Sequence, residues 1–401
     1  RYFYQLPVAS NESRFRVSTS SFDRWQSLTV GLYMSLVGYA ALAGIPVLSS
    51  SWNNFLHFTE VQVGRVAGAD LGGLAVGAVI ASTLITRVSR RVLVFAAVVG
   101  AVAANCACIF YSDYTTTLIL RFLAGSASGV FTGIAVATLG GRSSPTHAFN
   151  YLLFAFAFVQ GAELYFLPKL SMEGIYLAFG ISYLPVLLCL HWVPEPTDEQ
   201  DITVHSADTP DLDDTPENPA LPLMLFLVAM AFTYINIGAY WTYIELAASD
   251  ASLDSQWVSS LLVWASLASL LGCFVATVIS DRLGVARPLL VTLIIQGTSV
   301  SMLALGINEP IFFASLFSFN FLWIFIDVYQ MGSIARFDPT GRFAALMPAA
   351  QGAGQMIGPN IAATVLAFGG GYGGVFIMCG CASIIAYLLY QAAFQRLSST
   401  P

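Results

Sequence analysis

The chain has 401 residues, 57% of them hydrophobic and only 10% charged, with a formal net charge of −7. A soluble domain carries about 25% charged residues, so charge this sparse cannot coat a water-exposed fold, and it equally excludes a disordered or nucleic-acid-binding chain. Most of the surface must face lipid.

A membrane-spanning helix needs about 20 mostly apolar residues, and the chain predicts twelve of them. The first six are 26–49, 61–85, 92–112, 116–139, 148–170 and 174–193. The last six are 221–247, 256–279, 288–306, 310–334, 343–367 and 373–394. The expected fold is therefore an all-α membrane protein of twelve transmembrane helices in two six-helix bundles, residues 1–193 and 220–401. The first residue is arginine, which fits a trimmed start, and no secretory signal precedes the first apolar span.

Between the bundles, residues 194–219 are rich in Pro, Asp and Thr and hold nine carboxylates with no Lys or Arg. Taking these nine from the 23 acidic residues leaves 14 against 16 basic ones, so the acidic balance belongs to a solvated linker and not to the body of the protein. Thirteen of the 16 basic residues fall in the segments that share a side with the N-terminus. Lys and Arg favour the cytoplasmic side, which places both termini and the linker there. The sequon at Asn11 is then expected to stay unglycosylated.

The halves echo one another. Gln160-Gly161-Ala162-Glu163 with Pro168 in the fifth span matches Gln351-Gly352-Ala353-Gly354 with Pro359 in the eleventh at an offset of 191 residues. The basic loop Arg87, Arg90, Arg91 after the second span answers Asp281, Arg282 and Gly284 after the eighth. Twelve spans, the central linker and the loop from Ser280 to Arg287 resemble the major facilitator superfamily, and Arg121, Gly125 and Gly129 match that family's fourth-helix pattern. The first-half loop departs from the pattern, with Thr86 in place of the acid and Ser89 in place of the glycine. Trp241 and Glu245 in span 7, with 338–342 before span 11, resemble the family's arabinose-efflux-type permeases. The resemblance implies a pseudo-symmetric fold, a central cavity lined by helices 1, 4, 7 and 10, and loops that act as conformational switches.

Ionisable groups at membrane depth are costly and therefore functional candidates. Asp70, Arg121 and Glu163 lie at similar depth, within about ten residues of the outer ends of their spans, and could meet. Glu163, or failing that Asp70, is expected to couple transport to protons with Arg121 as a switchable counter-ion; a permanent structural ion pair is the alternative. Asp327 in span 10 joins this set. Asn320, Trp323, Asp327 and Gln330 share one helical face of span 10, and Tyr234, Trp241 and Glu245 share one face of span 7 with Tyr240 on its flank. These stripes, with Gln351 and Gln355 beside Gly358-Pro359, are the expected solute contacts. An interfacial aromatic belt is the alternative for Trp241 and Tyr243. Gly64, Gly68 and Gly72, Gly73 and Gly77, and Gly125 and Gly129 recur every four residues and predict close helix packing.

No enzyme is expected. Gly125 to Gly129 has Ala127 where a nucleophile elbow needs serine, the four histidines are scattered, and there is no phosphate-binding loop. The six cysteines sit in apolar runs and read as buried hydrophobes. The reading is a secondary transporter working by alternating access, without cofactor or metal, moving a charged or zwitterionic organic solute by uptake coupled to protons or sodium. It would act as a monomer in the cell membrane. Efflux of sugars or drugs is the rival within transport, and a non-transporting receptor the rival outside it.

Overall fold

The computed structural model describes residues 21–143, 145–195, 220–338, 343 and 346–398. Among them every regular element is helical. The first predicted span is three pieces, α1 (Trp25–Gly38), α2 (Ala40–Ala43) and α3 (Ile45–Leu56). There follow α4 (Glu60–Leu84), α5 (Arg90–Phe110), α6 (Tyr114–Gly140) and α7 (Pro145–Phe166). The sixth span is two pieces, α8 (Met172–Ser182) and α9 (Pro185–Leu188). The second half comprises α10 (Ala220–Asp250), α11 (Ser255–Leu283), α12 (Ala286–Ser301), α13 (Glu309–Phe337), α14 (Met347–Ala367) and α15 (Gly371–Ser398).

All twelve predicted stretches are helical, and nine described helical spans are long and apolar enough to cross a bilayer. The other three differ for local reasons. Pro46 has no N–H to give the preceding turn, and Gly44 holds the junction between α2 and α3, so the first span is jointed. Pro185 opens α9 and divides the sixth. Helix α14 is whole but carries Gln351, Gln355, Asn360 and three glycines, which dilute its apolarity. Pro359 lies inside α14, which runs on through it to Ala367.

The helix ends sort by side. Call the side holding both ends of the described chain the terminus side and its opposite the far side. Helices α4, α6, α8, α11 and α13 all start on the far side, and each has a side-chain cap: Thr59 in a capping box with Gln62, then Asp113, Ser171, Asp254 and Asn308. On the terminus side α5 has no cap from its own N-cap residue Ser89. Instead Glu195, from beyond the sixth span, accepts hydrogen bonds from the Arg90 and Arg91 N–H groups at 3.1 Å each and from the Ser89 hydroxyl at 2.6 Å.

Glycine spacing sets the closest approaches. Gly73 and Gly77 of α4 lie against the backbone of Phe122 and Ser126 in α6, while Gly125 and Gly129 of α6 lie against that of Asp70 and Leu74 in α4, so a Cβ at any of the four would strike main chain. The two halves meet reciprocally: α7 packs on α11 and α14 packs on α4. Helix α10 is the most enclosed of the spans, with 61% of its apolar window buried, against α14, α15 and α3. Large apolar side chains such as Trp264 and Phe274, 63% and 67% exposed, form the outer surface that lipid must cover.

Candidate functional site

The first charged cluster joins three helices. Arg121 of α6 donates from Nη2 to Asp70 Oδ2 of α4 at 2.5 Å and from Nε to the same oxygen at 3.1 Å. Its Nη1 donates to Asn105 Oδ1 of α5 at 2.9 Å. Both charged side chains of this ion pair are only 2% exposed. Gly125 is what brings Asp70 in: a Cβ there would lie 2.9 Å from Asp70 Oδ1. The guanidinium also faces the Tyr176 ring at 5.6 Å, and Tyr176 accepts from Trp52 Nε1 at 2.9 Å. A charge pair so enclosed, with all three guanidinium nitrogens donating, has the form of a brace between α4, α5 and α6.

Glu163 does not join it. The carboxylate of Glu163 stands at the α2–α3 joint, where a Cβ on Gly44 would be 3.5 Å from its Oε2, and that oxygen is buried without a hydrogen-bond partner. Of the two acids expected to pair with Arg121, Asp70 does so in this structure and Glu163 does not. The guanidinium is already filled by Asp70 and Asn105, and Gly161, two residues before Glu163, faces Ser266 of α11.

The second cluster lies between α10, α13 and α15. Tyr234 donates to Asp327 Oδ2 at 2.8 Å, Gln330 donates to Asp327 Oδ1, and Tyr390 donates to Gln330 Oε1 at 3.0 Å. Asp327 is 7% exposed and has no cationic partner among the described residues. The sequence pattern placed Tyr234, Asp327 and Gln330 on polar faces; Tyr390, of α15, was not among the expected site residues.

Above this cluster the aromatic side chains pack into one another. Trp323 meets Trp241 with ring centres 6.0 Å apart and Phe319 at 5.9 Å, while Trp241 and Phe319 are parallel at 6.1 Å. Trp241 and Tyr243 are 1% and 0% exposed, so the aromatic-belt alternative is excluded for both. Tyr240 is buried like Trp241: it stacks on Phe319 at 4.0 Å and its hydroxyl lies 3.1 Å from Ser315 Oγ. Asn320 turns back on its own helix, donating to the Leu316 carbonyl at 3.0 Å.

The remaining candidates are placed as follows. Glu245 of α10 stands beside Ser50 of α3, and its Oε2 is buried with no hydrogen-bond partner. Gln355 is buried and Gln351 half-buried, and Gly238 allows α10 to close on the Gln355 backbone. In the basic loop Arg87 is exposed, Arg90 lies over the Phe22 ring at 4.9 Å, and Arg91 donates to the carbonyls of Val193 at 3.1 Å and His191 at 3.2 Å. Asp281 and Arg282 fall in the last turn of α11 with side chains outside the described residues, as do residues 339–342 entirely. Gly284, with φ of 66° and ψ of −174°, ends that helix in a conformation that only glycine adopts readily. The cysteines are all free; Cys108 and Cys379 are buried as expected and Cys381 is exposed.

One set of contacts gave no sequence signal. Arg65 of α4 donates to Asn360 and Thr364 of α14, and Tyr243 of α10 donates to the Glu60 carbonyl. These partners are up to 299 residues apart, and neither half shows them alone.

Comparison with known proteins agrees with this architecture. The Major Facilitator Superfamily profile matches residues 29–342. Comparison with curated protein sequences gives no match. Among solved structures the chain is similar to the nucleoside transporter NupG, with a TM-score of 0.69 at 12% identity over 92% of this chain and 99% of that one. A point mutant of NupG superposes equally well, with a TM-score of 0.69. The human organic anion transporter MFSD10 (TETRAN) is similar with a TM-score of 0.62 at 13% identity, over 91% of this chain and 98% of the other. At such identities the likeness is one of fold. The profile match spans most of the sequence, and with the helical fold it makes this chain a member of the Major Facilitator Superfamily, a multi-pass membrane transporter and not an enzyme.

Proposed function

We propose that the protein carries a small polar organic solute by alternating access, with Asp327 as the acid that couples transport to protons. The observation that carries the reading is the setting of Asp327: a carboxylate held by Tyr234 and Gln330, without a cation among the described residues, beneath the Trp241–Trp323–Phe319 wall. A charge at that depth is expensive, so exchange of a proton there is linked to the conformation and to what occupies the cavity. Asp70 is held differently, because Arg121 neutralises it in place. Glu163, with its unpartnered oxygen at the α2–α3 joint, is the second coupling candidate.

The aromatic wall supports a solute with a flat ring or a cationic group that stacks on indole, and Gln355 and Asp327 supply hydrogen bonds. Residues 1–193 and 220–401 would rock about this site as two units joined by 194–219. The excess of basic residues beside the termini supports a cytoplasmic terminus side in the cell membrane. Uptake as a monomer is the working direction and state.

The test is transport by the purified protein in proteoliposomes, against a panel of nucleosides, zwitterionic amines and sugars. Asp327→Asn should retain counterflow of the accepted solute and lose accumulation driven by a proton gradient, with sodium unable to substitute. Undiminished gradient-driven accumulation by that variant rejects the assignment, and the absence of counterflow by the wild type with any solute rejects transport of this class.

A further inference from the structure

One corner of the first half, on the terminus side, gathers cations and indoles. Arg24 and Trp25 open α1, the loop into α5 carries Arg87, Arg90 and Arg91, and the sixth span ends at His191 and Trp192. Side-chain contacts tie the three segments together. The Trp25 and Trp192 rings meet edge to face with centres 5.2 Å apart, and the His191 ring lies 5.9 Å from that of Trp192. Arg91 holds the Val193 and His191 carbonyls, and the Arg90 guanidinium covers the Phe22 ring two residues before Arg24. From the end of α6, Arg142 fixes the entry to α1 by donating to the Phe22 and Arg24 carbonyls at 2.8 and 3.1 Å.

The charge at this corner is unbalanced. Its five arginines stand against two carboxylates among the described residues, Asp23 and Glu195, and both acids are engaged locally. Glu195 takes the Ser89 hydroxyl and the α5 N–H groups, while Asp23 accepts from the Ser143 N–H at 2.8 Å and hydroxyl at 2.9 Å. The side chains of Arg24 and Arg87 are exposed, with no hydrogen-bond or ionic partner among the described residues. Trp25, also exposed, stands at a helix start, the level at which indoles favour the boundary between headgroups and acyl chains. Deeper by a turn or two, Val92 and Phe95 of α5 and Leu188 of α9 expose apolar side chains. The second half has no equivalent: the starts of α10 and α12 and the end of α15 carry Arg287 and Arg396 but no tryptophan.

We propose that this corner binds the phosphate of an anionic phospholipid in the terminus-side leaflet. Arg24 and Arg87 are the charged contacts, Trp25 sits at the glycerol level, and the acyl chains run along Val92, Phe95 and Leu188. Guanidinium groups suit a phosphate because their N–H donors pair with its oxygens. The indole and the apolar strip below it suit only a phosphate that carries a lipid. The site lies outside the solute pathway, so it stands whatever the protein transports.

Native mass spectrometry of the full chain in mild detergent, with phosphatidylglycerol or phosphatidylcholine added, counts the lipid retained. The wild type should keep phosphatidylglycerol in preference to phosphatidylcholine. Arg24→Ala and Arg87→Ala should each weaken that binding about fivefold, the worth of one cation beside an anionic headgroup. Arg24→Lys and Arg87→Lys should recover most of it, and unchanged melting in phosphatidylcholine nanodiscs checks that the variants fold. Arg336→Ala, which removes an exposed cation at the end of α13, should bind as wild type does. Trp25→Ala should also weaken retention, and excess inorganic phosphate should not displace the lipid. Equal retention of the two lipids, an unchanged preference in the Arg24→Ala, Arg87→Ala double variant, or an equal loss in Arg336→Ala overturns the site. Displacement by inorganic phosphate, with Trp25→Ala as wild type, makes the ligand a soluble anion and overturns the lipid.

Discussion

Gly161 and Gly352 make equivalent contacts 191 positions apart. Each lays bare backbone on the second long helix of the opposite half, Gly161 against Val263 and Ser266 of α11 and Gly352 against Ala75 of α4. The echo in the sequence is thus a pair of seams on which the halves touch. The two seams differ in tolerance. A Cβ on Gly161 would meet the Ser266 hydroxyl at 3.0 Å, which can rotate, whereas one on Gly352 would collide with Ala75. Gly161→Ala should therefore melt within about 0.5 kcal/mol of wild type, and Gly352→Leu should lose about 2 kcal/mol through overpacking. Thermal unfolding in detergent checks both, and equal losses would contradict the asymmetry.

The Asp70–Arg121 pair makes a stronger prediction. Removing one partner strands a buried charge, at a cost of about 3–5 kcal/mol. Arg121→Gln and Asp70→Asn should each destabilise by that order, while the double variant should be more stable than the sum of the two predicts. A double-mutant cycle on melting curves measures the coupling. Additive losses would mean that the pair is not a brace.

The aromatic wall is tested by affinity. Stacking on Trp323 is worth about 1 kcal/mol beyond the area it buries, so Trp323→Ala should raise the half-saturation of counterflow about tenfold or more once lost area is included. Trp323→Phe should raise it less. A change confined to maximal rate would place Trp323 outside the solute site.

Glu195 gives a pH dependence on the terminus side. Partial burial pushes its carboxyl up, but the Ser89 hydroxyl and the Arg91 and Arg90 N–H groups outweigh that and hold it below the usual glutamate range. A group depressed on folding contributes stability above its unfolded pKa and loses it as pH falls through the folded one. Glu195→Gln should therefore cost about 1 kcal/mol near neutral pH, the size of a helix cap, and the difference from wild type should shrink below about pH 4. A gap that widens on acidification would refute the capping role.

Much of the fold was legible because lipid imposes a strong constraint. Every backbone polar group in a bilayer needs a partner inside its own helix, so apolar length alone marks the spans, and all twelve stretches are helical. The joints at Gly44 and Pro185 had visible residues but no visible consequence, since a proline bends one helix and passes through another, as Pro359 does in α14. Helical periodicity placed Tyr234, Asp327 and Gln330 on two faces that meet. It could not say that Tyr240 and Trp241 are both buried, because α10 is enclosed on nearly every side.

The sequence by itself determined the solvent, the helices, the two echoing halves and the short set of charges too costly to be idle. Tertiary structure decided which charges meet. Asp70 takes Arg121 and leaves Glu163 at a helix joint, and Arg65 reaches Asn360 across 295 positions. The reason is that helix formation is local, fixed by residues three and four apart, whereas the partner of a buried charge is set by how closely backbones approach at glycines on different helices, a property of the packed whole.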